Sequence, residues 1–186
     1  MRNALVVLLL VLGTGVAFCG QGGPATSPPA AARSLPLDPL RFLVGSWQGE
    51  GGGQPAQGSG SASFKLDLDG RVLVRRNHSE YPATAGKPAI THDDLMIIYP
   101  EPGTKRLEAV YFDNEGHVIE YVVEVSRDGQ RVVLSSEPEP SSPTFRLTYV
   151  SVDENTVDVT FEIAPPGSPG GFRPYVSGRI RRTSRD

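Results

Sequence analysis

Along most of the chain, apolar and polar residues alternate one for one. Val157, Val159, Phe161 and Ile163 are interleaved with Asp158, Thr160 and Glu162. His117, Ile119, Tyr121, Val123 and Val125 are set against Glu120 and Glu124, and Phe145, Leu147 and Tyr149 against Arg146 and Thr148. A period of two places the two sets on opposite faces of a β-strand. Weaker stretches of the same kind cover 47–51, 61–66, 72–79, 92–99, 106–113, 132–136 and 172–182, which makes about ten strands. Helical periodicity is confined to one turn before the first strand, Asp38-Pro39-Leu40-Arg41-Phe42-Leu43, where Asp38 can cap and Pro39 suits the first position.

The connections alternate in length. Asp67-Leu68-Asp69-Gly70, Pro100-Glu101-Pro102-Gly103, Arg127-Asp128-Gly129 and Asp153-Glu154-Asn155 are tight turns with Gly or Asn where positive φ is needed. Between them run longer loops, 51–60, 80–91, 137–143 and 164–171, together with the Asp113–Gly116 turn. If consecutive strands pair up and down, every tight turn falls at one end and most long loops at the other. That predicts an all-β fold, a single antiparallel up-and-down barrel of about ten strands with a laced base and a looser mouth. A two-sheet sandwich is the alternative, but closure leaves no exposed strand edge.

Composition changes the picture only at the ends. Arg2 precedes a nearly unbroken apolar run, Ala4 to Leu12, followed by small residues up to Ala17. This is the pattern of a secretory signal peptide, 1–19, too short to span a bilayer. Gly20 to Ser34 holds Gly, Pro, Ala and Ser with almost no large apolar residue and reads as a flexible linker. The domain is then 35–186. The protein is expected to be exported: periplasmic, outer-surface or secreted. Cys19 is the sole cysteine, so the domain has no internal disulfide and depends on its hydrophobic core. Cys19 also sits where a bacterial lipoprotein carries its lipid, although Phe18 stands where that processing has a small residue. Membrane attachment is expected only if Cys19 is lipidated; simple cleavage nearby is the alternative. Net charge is −3, and basic residues cluster only at the extreme C-terminus, so nucleic-acid binding has little support. The oligomeric state is left open.

The segment Leu40-Arg41-Phe42-Leu43-Val44-Gly45-Ser46-Trp47-Gln48-Gly49-Glu50-Gly51 resembles the opening of lipocalin-type barrels. There a short helical turn leads into Gly-x-Trp, here Gly45 and Trp47, whose indole plugs the closed end. The resemblance implies a basic residue of the last strand packed over that indole, with Arg179 or Arg181 as candidates. FLVGSWQGEG together with the later YFDNEGHVI is similar to the nitrobindin-like and related lipocalin-like domains of exported bacterial proteins. That resemblance implies haem held by a histidine near the last strands, yet no histidine follows His117.

Three histidines fall at the predicted mouth: His78 at the end of one strand, His92 at the start of the next, and His117 after a turn two strands along. Asp93, Asp94, Asp113, Asn114 and Glu115 share that end. Imidazoles among carboxylates can bind a divalent metal or transfer protons, with His92 and His117 the better placed. The plain alternative is an ordinary polar barrel rim. A nucleophile elbow and a phosphate loop are both missing from the sequence, so enzymatic activity is uncertain and leans towards none. Inside the cup, Tyr111, Tyr121, Phe145, Tyr149 and Phe161 are candidates to line a cavity. The leading expectation is therefore a barrel that binds a small, mostly apolar ligand. The alternatives are an enzyme or metal-binding protein using the mouth cluster, a haem protein with a different iron ligand, and a structural envelope protein whose barrel is filled.

Overall fold

The computed structural model describes residues 36–50, 58–84, 86, 88–104 and 106–185. The expected signal peptide with Cys19, the linker, and most of the 51–60 loop lie outside the described residues.

A 3-10 helical turn, Asp38–Leu43, leads into ten strands: β1 Gly45–Gly49, β2 Ser59–Asp67, β3 Val72–Tyr81, β4 Ile90–Pro100, β5 Leu107–Asp113, β6 Val118–Val125, β7 Arg131–Ser135, β8 Thr144–Asp153, β9 Thr156–Ala164 and β10 Arg173–Ser184. Each pairs antiparallel with the next, and β1 pairs with β10, so the sheet closes into one barrel. The predicted all-β up-and-down barrel is the observed fold. Of the two N-terminal expectations, Pro39 does sit in the first turn, but the N-cap position is held by Leu37 rather than Asp38. Asp38 lies one residue inside the helix and accepts a 2.9 Å bond from Arg41 Nε.

The base is sealed by three leucines of the helical turn region. Leu37, Leu40 and Leu43 are 0–2% exposed and pack with Trp47, Phe64 and Leu73. Burying a leucine side chain contributes about 2 kcal/mol, so this plug holds the N-terminal turn under the barrel. The Trp47 indole donates a 2.7 Å bond to the Leu43 carbonyl. A guanidinium does cover the indole, but it belongs to Arg182, 4.1 Å from the ring centroid, and neither to Arg179 nor to Arg181. Strand phase is the reason: Arg182 pairs directly with Trp47 and faces inward, where it also donates to the Phe42 and Val44 carbonyls. Arg179 and Arg181 point outward to Asp158 and Glu50.

Any side chain at position 45 is strained in this seam. The φ of Gly45 is +126°, and an added Cβ would lie 2.4 Å from the Ser184 carbonyl oxygen across the β1–β10 ladder.

Candidate functional site

Inward positions follow from register. Leu73, Ile98 and Ala109 lie opposite one another across β3, β4 and β5, and all are buried. Two residues towards the mouth, the same phase carries Arg75, Met96 and Tyr111; two further, Asn77, Asp94 and Asp113. The sheet therefore turns polar on its inner face partway up the barrel.

Arg75 and Asp94 form the centre of this polar level. Arg75 Nη2 lies 3.1 Å from Asp94 Oδ2, and the two side chains are 11% and 2% exposed. Asn77 donates a second bond, 3.0 Å, to the same oxygen, and His92 Nε2 stands 3.5 Å from it. Asp94 Oδ1 has no partner although it is closed off from solvent. Burial pushes the Asp94 carboxyl above the usual carboxylate range, against the opposing pull of Arg75, His92 and Asn77. Burial works against the Arg75 cation, but Tyr149, Asp94, Tyr111 and Tyr121 around it more than compensate, and it stays charged. Tyr149 is pushed up to about 12, chiefly by burial. Tyr111 and Tyr121 are raised further, again mainly by burial.

A hydrogen-bonded chain leads from here to the rim. His92 Nε2 is 3.0 Å from the Tyr111 hydroxyl, which is 3.2 Å from Asp113 Oδ2, itself 2.8 Å from His117 Nδ1. His92 Nδ1 faces Glu115 at 3.0 Å. Asp113 also accepts the backbone N–H groups of Glu115 and His117. Burial would raise its carboxyl, but these bonds hold it below the usual range. The proton inventory gives the chain two states. A neutral His92 donates from Nδ1 to Glu115 and accepts the Tyr111 proton at Nε2. A protonated His92 donates from both nitrogens, and Tyr111 turns its hydrogen to Asp113. The geometry allows a relay in which the His92 Nε2 proton passes to the Tyr111 oxygen as the Tyr111 hydrogen passes to Asp113, after which the hydroxyl turns back.

The three histidines are not gathered into one metal site. His92 faces inward with Asp94. His78, opposite Asp93 on the neighbouring strand, faces outward. There it bonds Asp93 at 2.7 Å and Glu80 at 3.2 Å, and those bonds raise its pKa. His117 is exposed at the rim and reaches His92 only through Asp113 and Tyr111. Among the described residues no group of three His, Cys, Asp or Glu side chains is arranged to hold a metal ion. His78 instead borders a groove of about 700 Å³ on the outer face of β1–β5, with Ser46, Gln48, Ser63, Arg76 and Phe112 along it.

All five cavity candidates belong to the inner face, at two depths. Tyr121 and Tyr149 are buried, both near enough to Arg75 to favour its charge, with Tyr149 edge-on to Phe64 at 5.6 Å. Tyr111, Phe145 and Phe161 are only partly buried. Phe145 and Phe161 stack at 6.0 Å, and the bulge between Pro174 and Val176 carries Tyr175 to a 6.2 Å edge contact with Phe161. Aromatic side chains that point inward yet remain solvent-accessible define an open lumen above a packed base. The barrel can hold a ligand there.

Haem ligation of the kind the resemblance implies does not fit. The inward positions of β8–β10 are occupied by Leu147, Tyr149, Val157, Val159, Phe161 and Ile180 near the lumen, none with an imidazole. Sequence reasoning missed Arg75, Asn77 and Arg182. The available signal was phase: Arg75 shares it with Leu73, and Asp94 with Met96 and Ile98. No helix of the described residues is long and apolar enough to cross a membrane. The chain matches no family model, and no curated protein matches it.

Proposed function

We propose that this protein is an exported, lipocalin-like binding barrel that takes a small, mostly apolar ligand through its loop-rich mouth. The observation that carries the reading is the upper lumen: the partly exposed Phe145–Phe161 stack stands over the buried Arg75–Asp94 pair. Apolar walls with a few convergent polar groups are the usual make-up of a small-molecule site. Export rests on Arg2, the apolar run behind it and the Gly/Pro/Ala linker. The lipocalin-like assignment rests on Gly45, Trp47 and the arginine over the indole, with Arg182 in that role. The finer nitrobindin-like likeness speaks for the barrel alone, since the haem ligand has no counterpart.

The test is capture of a solvatochromic apolar dye by the purified full chain, beside native mass spectrometry of protein taken from its own host. Saturable uptake at one site is expected, and Val159→Trp, which fills the lumen beside Phe161, is expected to abolish it. Dye uptake unchanged by Val159→Trp would place binding elsewhere and overturn the proposal.

A further inference from the structure

The polar level of the lumen also selects a chemistry, given that the lumen is the ligand site. Of the buried pair, Arg75 is the member that can be reached: it is 11% exposed against 2% for Asp94, and its inward position directs that exposure to the lumen. A guanidinium carries five N–H donors and no acceptor, and one of these bonds Asp94. A ligand group meeting this floor must therefore accept hydrogen bonds.

Charge then separates two kinds of acceptor. One guanidinium stands among three carboxylates: Asp94 bonded to it, Asp113 reached through Tyr111, and Glu115 on His92. Asp113 is close enough to Asp94 to raise its pKa. A ligand carboxylate would lose its hydration and enter a region whose single dedicated cation is already matched by Asp94. A neutral carbonyl needs far less desolvation and still aligns its oxygen with the guanidinium. The partly buried aromatic walls, Phe145 and Phe161 with Tyr111, suit the apolar remainder of such a molecule.

We propose that the ligand is an apolar compound bearing a neutral carbonyl (ketone, ester or amide) whose oxygen is held by Arg75. Methyl decanoate, decanoate and decane are competed against the bound dye at mildly alkaline pH, where decanoate is an anion. The ester is expected to bind about tenfold more tightly than either of the others, the contrast a single charge-assisted hydrogen bond supports. In Arg75→Met/Asp94→Leu, which removes both charges together, that preference is expected to collapse to about one. His78→Ala, on the outer face, is expected to preserve it. Tighter binding of decanoate than of the ester would overturn the proposal, as would equal binding of ester and decane, which would leave the ion pair a structural element satisfied by water. An ester preference surviving in the double variant would remove Arg75 from the account. If none of the three displaces the dye, decane included, the ligand site itself fails, and this inference with it.

Discussion

Replacing Arg75 by Met leaves the Asp94 carboxylate alone inside the barrel, and the cost follows from the geometry. At the observed 3.1 Å, and with an effective dielectric of about 20, the Coulomb attraction is about 5 kcal/mol. Desolvation of both groups offsets much of that in the intact pair, yet the single variant keeps the desolvation of Asp94 and loses the attraction. Removing one partner of a buried pair costs about 3–5 kcal/mol. Asn77 still donates to Asp94 Oδ2, so Arg75→Met should fall near the low end, about 3 kcal/mol. Arg75→Met/Asp94→Leu leaves no charge behind and should lie within about 1 kcal/mol of the parent. Urea unfolding at neutral pH, with the denaturant dependence checked for constancy, measures both. The pH dependence has a definite sign. Asp94 already titrates above its unfolded value, and losing Arg75 drives it higher. A carboxyl whose folded pKa is raised binds its proton more tightly in the native state, so stability falls as pH rises through the window between the two values. The deficit of Arg75→Met is therefore complete above the raised pKa. It shrinks as pH falls towards the unfolded value of about 3.9. A single variant that loses less than about 1 kcal/mol, or a double variant as damaged as the single, would refute the desolvated pair.

Arg182→Met strands the Phe42 and Val44 carbonyls and should cost about 2 kcal/mol or more in chemical denaturation. Arg179→Met, which loses only an exposed pair with Asp158, should leave the midpoint nearly in place. Gly45→Ala forces a side chain onto φ +126° and against the Ser184 carbonyl; a loss of about 2 kcal/mol, read from thermal or urea melts, is expected. In an alkaline absorbance titration of the native protein, Tyr149 should ionise only near 12, with Tyr111 and Tyr121 later still. Early ionisation of all three would mean that the lumen is wet down to its base.

The strands were legible because a half-buried β-strand writes its two faces into alternate residues, and loop lengths were enough to order the ends. Alternation within a strand does not carry across a loop. His78 and His92 sit on adjacent strands, and only the pairing of Ser79 with His92 puts one imidazole outside and the other inside. The same limit hid Arg182. The bulge between Pro174 and Val176 shifts the register of β10, so counting from the start of that strand could not choose among Arg179, Arg181 and Arg182. Arg75, and its pairing with Asp94, were hidden for a different reason. Charged residues are ordinarily assigned to the wet face, and these two share the phase of Leu73, Met96 and Ile98, where a charge survives only beside its partner.

The pairing of β1 with β10 ties residues near 45 to residues near 184, and this orders events as the chain is made. Until the last strand has left the ribosome, the nascent sheet keeps β1 and β9 as two open edges, each able to template a wrong partner. The seam with the greatest separation along the chain is also the most expensive in loop entropy, so it is the contact most exposed to slow closure. Arg182 and Gly45 lie on that seam, and their work is done at the end of folding: the barrel becomes a container only when its final strand arrives.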